Sequence, residues 1–96
     1  MKINFNNSNG ILNVALEGRL DTVTAPELES FIGSNYDGNG QIVIECKGLS
    51  YVSSAGLRVL LATQKKAKGA MKLINVCEEV MEVFEMTGFA DILVIE

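Results

Sequence analysis

The sequence contains no histidine, only two cysteines and a single proline. Without an imidazole there is no base for a Ser-His-Asp or Cys-His nucleophile, and every histidine-containing metal site is excluded. The two thiols, Cys46 and Cys77, cannot form a four-ligand zinc site by themselves, and they are not arranged as C-x-x-C. We therefore expect a protein that is not an enzyme and that holds no metal and no cofactor.

Positive charge and long apolar runs are also scarce. The formal net charge is −4, which argues against nucleic-acid binding because that function requires a basic surface. No apolar run approaches the roughly 20 residues of a membrane span, and the amino terminus lacks the apolar core of a signal peptide. The composition therefore predicts a cytoplasmic protein without direct membrane insertion, in which the thiols are reduced.

The apolar content is sufficient for one folded core. The chain has 96 residues, of which 48% are hydrophobic. Surface scaling predicts that folding buries roughly 64% of the accessible surface, which supports a core without disulfides or metals. We therefore expect a single domain over residues 1–96.

Hydrophobic spacing and turn residues divide the chain into strands and helices. The run Ile42-Val43-Ile44 is typical of a central strand that is covered on both faces. Strands separated by helices imply parallel pairs with right-handed crossovers, so the predicted fold is α/β: a mixed sheet of about five strands with helices packed on it, in the order β-β-α-β-α-β-α-β. The predicted elements are strands at 2–7 and 11–18 that form an antiparallel hairpin, a helix from near Thr24 to about Gly33, a strand at 41–46, a helix from Ser53 or Ser54 to about Lys68, a strand at 71–76, a helix at Glu78–Thr87 and a strand at 92–95.

The first helix has two candidate residues at its amino end. Thr24 is predicted to be the N-cap, because Pro26 follows near the first helical position and Glu27 lies three residues after Thr24, as in a capping box. Asp21 precedes them and is expected to assist capping or to solvate the turn.

The segment at residues 49–61 carries the strongest functional signal, because an apolar stretch leads into Ser53 and Ser54 and then into a helix. A helix start offers unpaired N–H groups and a partial positive charge, which favour a phosphate as well as a capping hydroxyl. Gly56 costs up to about 1 kcal/mol relative to alanine in a helix, and that cost is explained if something approaches the backbone closely. Serine is a preferred N-cap, so capping alone is the plainer interpretation of the pair.

Four stretches carry motifs in an order that spans almost the whole chain: residues 18–28, with Leu20-Asp21 and Thr24-Ala25; residues 49–57, ending in Ser53-Ser54-Ala55-Gly56-Leu57; residues 69–73, with Gly69 and Met71; and residues 83–89, with Phe84 and Thr87-Gly88. Together they resemble the STAS domain family, of the anti-sigma factor antagonist type. Ser53 stands where the family has an acidic residue, and Ala55 where it has a second serine.

The resemblance implies a regulated binding protein. Antagonists of this type bind an anti-sigma factor that is also a serine kinase, and so release the sigma factor. The kinase phosphorylates a serine that aligns with Ser54, which ends the interaction, and a serine phosphatase restores it. The residues that the resemblance assigns to partner binding are Asp21, Thr24, Ser53, Ser54, Ala55, Gly56, Leu57 and Arg58.

Three alternatives stay open. The first is that Ser53 competes with Ser54 for the phosphate. A STAS scaffold that is never phosphorylated, as a subunit of a transport or stress-signalling assembly, belongs to a different functional class. A small nucleotide-binding module is suggested by the family alone, since the chain has no glycine-rich phosphate loop.

Overall fold

The structure is a computed structural model that describes residues 1–96. All three predicted helices are present, and the third has the predicted bounds. The elements in chain order are β1 (Lys2–Ser8), β2 (Ile11–Leu20), α1 (Ala25–Asn35), β3 (Gln41–Val52), α2 (Ser54–Lys66), β4 (Met71–Ile74) and α3 (Glu78–Thr87), followed by a single 3-10 turn at Phe89–Asp91. None of the helices has the length and apolar character needed to cross a bilayer.

The sheet has the order β1-β2-β3-β4, with β1 antiparallel to β2 and the other two pairs parallel. The hairpin turn consists of Asn9 and Gly10, whose φ angles are 53° and 78°. Two consecutive residues with positive φ are what a tight two-residue hairpin requires, and asparagine followed by glycine adopts them at low cost. The predicted antiparallel hairpin is therefore confirmed.

The sheet has four strands, so the prediction of about five was wrong at the carboxyl end. Gly88 ends α3 in the left-handed conformation, and the 3-10 turn after it leaves Ile92 in the right-handed helical region, so the extended segment begins later than predicted. The predicted strand at 92–95 is reduced to an isolated parallel bridge between Ile95 and Leu73. The Leu73 N–H donates to the Val94 carbonyl at 2.9 Å, so the segment lies along the β4 edge without becoming a strand.

The helices cover only one face of the sheet, which corrects the prediction that β3 is covered on both. Side chains on the covered face are fully buried in the core, for example those of Val14 and Ile44. Val43 points to the opposite face and lies outside that core, although it is only 6% exposed. Its cross-strand neighbours Asn13 and Lys72 shield it from the sides.

Strand β3 is twice as long as predicted, because it continues through Lys47 and Gly48 to Val52. Its second half pairs with the end of β2 after two register shifts, and the last pair in register is Leu20 with Val52. The two parallel strands therefore end side by side. The segments that follow them, residues 21–24 and 53–58, emerge at the same end of the sheet.

Candidate functional site

The two emerging segments are joined directly by backbone. The Ser53 N–H donates to the Leu20 carbonyl at 2.9 Å, one residue beyond the last strand pair. We refer to residues 21–24 together with residues 53–58 as the Ser54 site. All eight residues predicted to bind a partner lie in it.

Ser53 and Ser54 have different roles at the start of α2. Ser53 is the N-cap: its backbone is extended, and its hydroxyl oxygen accepts from the Gly56 N–H at 3.3 Å. Ser54 is the first helical residue and is exposed. The half-buried Ser53 hydroxyl is thus occupied by capping, whereas the Ser54 hydroxyl has no competing structural role.

Gly56 is buried because α2 touches the end of β2 at this residue. A Cβ atom added to Gly56 would lie 2.7 Å from Leu20 Cγ and 2.9 Å from the Leu20 carbonyl oxygen. The close approach predicted for this glycine is therefore real, and the group that approaches is the protein's own Leu20.

The predicted capping box at Thr24 and Glu27 was wrong, because the Thr24 side chain makes no capping bond to α1. The box is formed one turn earlier. The Asp21 Oδ1 accepts from the N–H groups of Val23 and Thr24, both at 3.0 Å, and the Thr24 Oγ1 accepts from the Asp21 N–H at 2.8 Å. Thr24 is at the N-cap position of α1, as predicted, but the ionised Asp21 carboxylate is the side chain that accepts the bonds of this turn.

The N–H of Thr24, followed by the other donors of this turn, holds the pKa of Asp21 below its usual value of 3.8. A lowered folded-state pKa means that the ionised carboxylate stabilises the fold above about pH 4, and that this contribution is lost as the pH falls through the folded-state value.

We expect Asp21→Ala to lower the melting temperature at pH 7 by a few degrees, because the N–H groups of Val23 and Thr24 lose their acceptor. Asp21→Asn should lower the melting temperature by less, since an amide oxygen can also accept these capping bonds. Thermal unfolding of the three proteins between pH 7 and pH 3 measures both effects. The difference in melting temperature between the wild type and Asp21→Asn should shrink as the pH falls. A difference that is constant with pH would contradict the assignment of the ionised Asp21 carboxylate as the capping group.

An arginine and a tyrosine flank the Asp21 turn. The Arg19 guanidinium lies 4.0 Å from the centre of the Tyr51 ring, and its Nε is 3.7 Å from the Asp21 Oδ2. This stack holds the exposed Tyr51 ring beside the site. Sequence reasoning missed both residues, because their pairing depends on the second half of β3.

The residues of the Ser54 site divide into an exposed and a buried group. Ser54 and Arg58 are exposed on α2, and Val23 is 78% exposed on the neighbouring turn. Gly56 and Leu57 are buried, with Leu57 only 4% exposed, so they fix the position of α2 and offer no side-chain surface to a partner.

The two cysteines lie apart from the surface of this site. Cys46 is buried in the core, and burial, followed by the nearby Glu45 charge, raises the pKa of its thiol to about 12. Cys77 is half-buried, with its sulfur 3.5 Å from the Leu49 carbonyl oxygen. The Cys46 thiol is therefore protonated at neutral pH and packs as a small apolar group.

This geometry defines a class: a small α/β domain that presents a serine-capped helix start and a neighbouring turn at one end of a sheet with one open face. The chain belongs to the STAS domain family, whose model matches residues 2–96.

Two relatives are named as anti-sigma factor antagonists. BtrV of Bordetella bronchiseptica, provisionally named an anti-sigma factor antagonist, is 34% identical over 96 residues, which cover 96% of this chain and 83% of the relative. The anti-sigma-B factor antagonist of Bacillus subtilis is 34% identical over 85 residues, covering 85% of this chain and 78% of the relative.

The solved structures of the Bacillus protein SpoIIAA share the fold. The unphosphorylated form of that anti-sigma factor antagonist has a TM-score of 0.79 at 18% identity, over 99% of this chain and 88% of its own. The phosphorylated form has a TM-score of 0.72 at 18% identity, over 99% of this chain and 91% of its own.

Proposed function

We propose that this protein is an anti-sigma factor antagonist: a binding protein, not an enzyme, that engages an anti-sigma factor and so releases the sigma factor. The names of the relatives support the class of partner. The observation that carries the proposal is the exposed Ser54 at the first position of α2, next to a hydroxyl that already caps the helix. In this proposal residues 1–96 form a single STAS domain that acts in the cytoplasm.

The binding is proposed to be regulated by phosphorylation of Ser54. The anti-sigma factor is also the serine kinase, the phosphorylated form no longer binds it, and a serine phosphatase returns the protein to its binding form. Geometry favours Ser54 over Ser53, because a kinase that used Ser53 would have to remove the N-cap of α2. Ser54 is reached without breaking that bond.

Incubation with the cognate kinase and ATP is expected to add one phosphate, and peptide mapping by mass spectrometry should place it on Ser54. Ser54→Ala should take up none. Ser53→Ala is the matched control: it loses a cap, at a cost of about 1 kcal/mol, but keeps the acceptor. Phosphate on Ser53, or phosphate retained in Ser54→Ala, would show that the wrong serine was assigned, and no phosphate on any variant would favour the unphosphorylated scaffold.

A further inference from the structure

Arg58 lies four residues after Ser54 on α2, and both side chains are exposed. Residues four apart on a helix are neighbours on one face, with Cβ atoms about 5–6 Å apart. An acidic group that precedes a basic group by four residues is the favoured orientation of such a pair. A phosphate on Ser54 would therefore be placed beside the guanidinium of Arg58, in that favoured order.

Arg58 has no partner in the unphosphorylated protein. The three ion pairs of the molecule join Lys2 to Glu17, Arg19 to Asp21 and Lys72 to Glu96. The groove beside Arg58, between α1 and α2, contains one carboxylate, that of Glu29, which forms no ion pair with it.

Arg58 is the only basic residue in the first two turns of α2. Arg19 is already held by Asp21 and by the Tyr51 ring. The remaining basic residues of α2, Lys65 and Lys66, are in its last turn. At about 1.5 Å per residue they lie roughly 16–18 Å along the helix from Ser54, beyond the Debye length of about 10 Å at 0.1 M salt.

We propose that Arg58 is the intramolecular partner of the phosphate, an inference that rests on the proposed phosphorylation of Ser54. Phosphorylation then changes the site twice. It adds about −1.5 to −2 charges at pH 7, and it withdraws the only basic side chain in the first two turns of α2 from an acidic group on the partner. The bidentate geometry of the guanidinium suits a phosphate better than the ammonium of lysine does.

The test uses protein with phosphoserine incorporated at position 54 during synthesis, so that no kinase is needed. Titration followed by phosphorus NMR gives the second pKa of the phosphate. At 0.1 M salt, Arg58→Gln should raise this pKa by about 0.2–0.4 unit relative to the protein with Arg58. Arg58→Lys should fall between the two. Lys65→Gln, which makes the same change in net charge at the far end of α2, should leave the pKa unchanged.

Raising the salt to 1 M should abolish the difference between Arg58 and Arg58→Gln, since the Debye length is then about 3 Å. Equal pKa values for these two proteins at 0.1 M salt, or an equal shift in Lys65→Gln, would overturn the pairing. Either result would leave the kinase experiment with the unmodified protein unaffected, so the inference and the proposed function fail separately.

Discussion

Ser54→Asp is expected to weaken binding to the anti-sigma factor by about 100-fold, whereas Ser54→Ala should bind like the wild type. A carboxylate that the partner covers loses its water, and pairing with Arg58 offsets only about 0.2–0.5 kcal/mol of that cost. A net cost of about 2.8 kcal/mol corresponds to 100-fold. The alanine variant removes an exposed hydroxyl that has no capping role. Isothermal titration calorimetry with the purified anti-sigma factor gives both affinities.

The matched control for the added charge is Ser8→Asp. Ser8 is an exposed serine at the end of β1, beside the hairpin turn, and it lies at the opposite end of the sheet from Ser54. Ser8→Asp changes the net charge by the same amount as Ser54→Asp. Because it does so far from the Ser54 site, its affinity for the anti-sigma factor should equal that of the wild type. If Ser8→Asp and Ser54→Asp lose the same affinity for the anti-sigma factor, the effect is a general electrostatic one. If Ser54→Asp and Ser54→Ala bind with equal affinity, the unphosphorylated scaffold is favoured.

The loss of binding should arise at the surface, with the fold intact. The N–H groups of Ser54 and Ala55 have no acceptor inside the helix, so a negative charge there is stabilised by about 0.3–1 kcal/mol. A term of this size cannot refold a domain with a typical stability of about 5–15 kcal/mol. Amide NMR shifts in Ser54→Asp should therefore be confined to residues 53–57 and 21–24, and shifts throughout β3 and α3 would indicate a conformational switch.

Gly56→Ala is expected to lower the free energy of unfolding by about 1–3 kcal/mol, although alanine is the better helix former by up to about 1 kcal/mol. The added methyl group would lie 2.9 Å from the Leu20 carbonyl oxygen and 3.0 Å from Val52 Cγ2, so α2 must move away from the strand ends. Because that movement shifts Ser53 and Ser54, the variant should also bind the anti-sigma factor more weakly.

Gly33→Ala provides the control, since Gly33 is in α1 and a Cβ there meets nothing within 4 Å. It should raise the free energy of unfolding by about 0.5–1 kcal/mol through helix propensity alone. Urea unfolding of the two variants measures both free energies, and so separates the effect of the contact between α2 and Leu20 from the effect of helix propensity. If both substitutions stabilise the protein, the added methyl group at position 56 is accommodated without moving α2, which would contradict this account of the contact with Leu20.

Local signals were sufficient to predict most of the elements. The spacing of Val80 and Phe84, followed by Gly88, gave the bounds of α3, and both side chains are buried as the spacing requires. Predictions failed where the outcome depended on partners distant in sequence. Lys47 and Gly48 have low strand propensity, yet pairing with β2 carries β3 past them.

The same limit applies to the site. The sequence identified the serine pair and the close approach at Gly56, because both are local features of a helix start. It placed Thr24 correctly at the N-cap position of α1, but it could not show that the Asp21 carboxylate rather than the Thr24 hydroxyl accepts the capping bonds, since both are good capping residues three positions apart. Nor could it show that Arg19 stacks on Tyr51, because two register shifts precede that pair.

The strand order β1-β2-β3-β4 repeats the order of synthesis. As the chain leaves the ribosome at about 5–20 residues per second, each new strand finds its neighbour already made. We expect the hairpin to form first, β3 to add to β2, and β4 to add to β3, so each inner strand has an open edge only until the next strand in the chain is translated. The edge that awaits the next strand is always the most recently made, which limits the time in which an incomplete sheet can pair with another nascent chain.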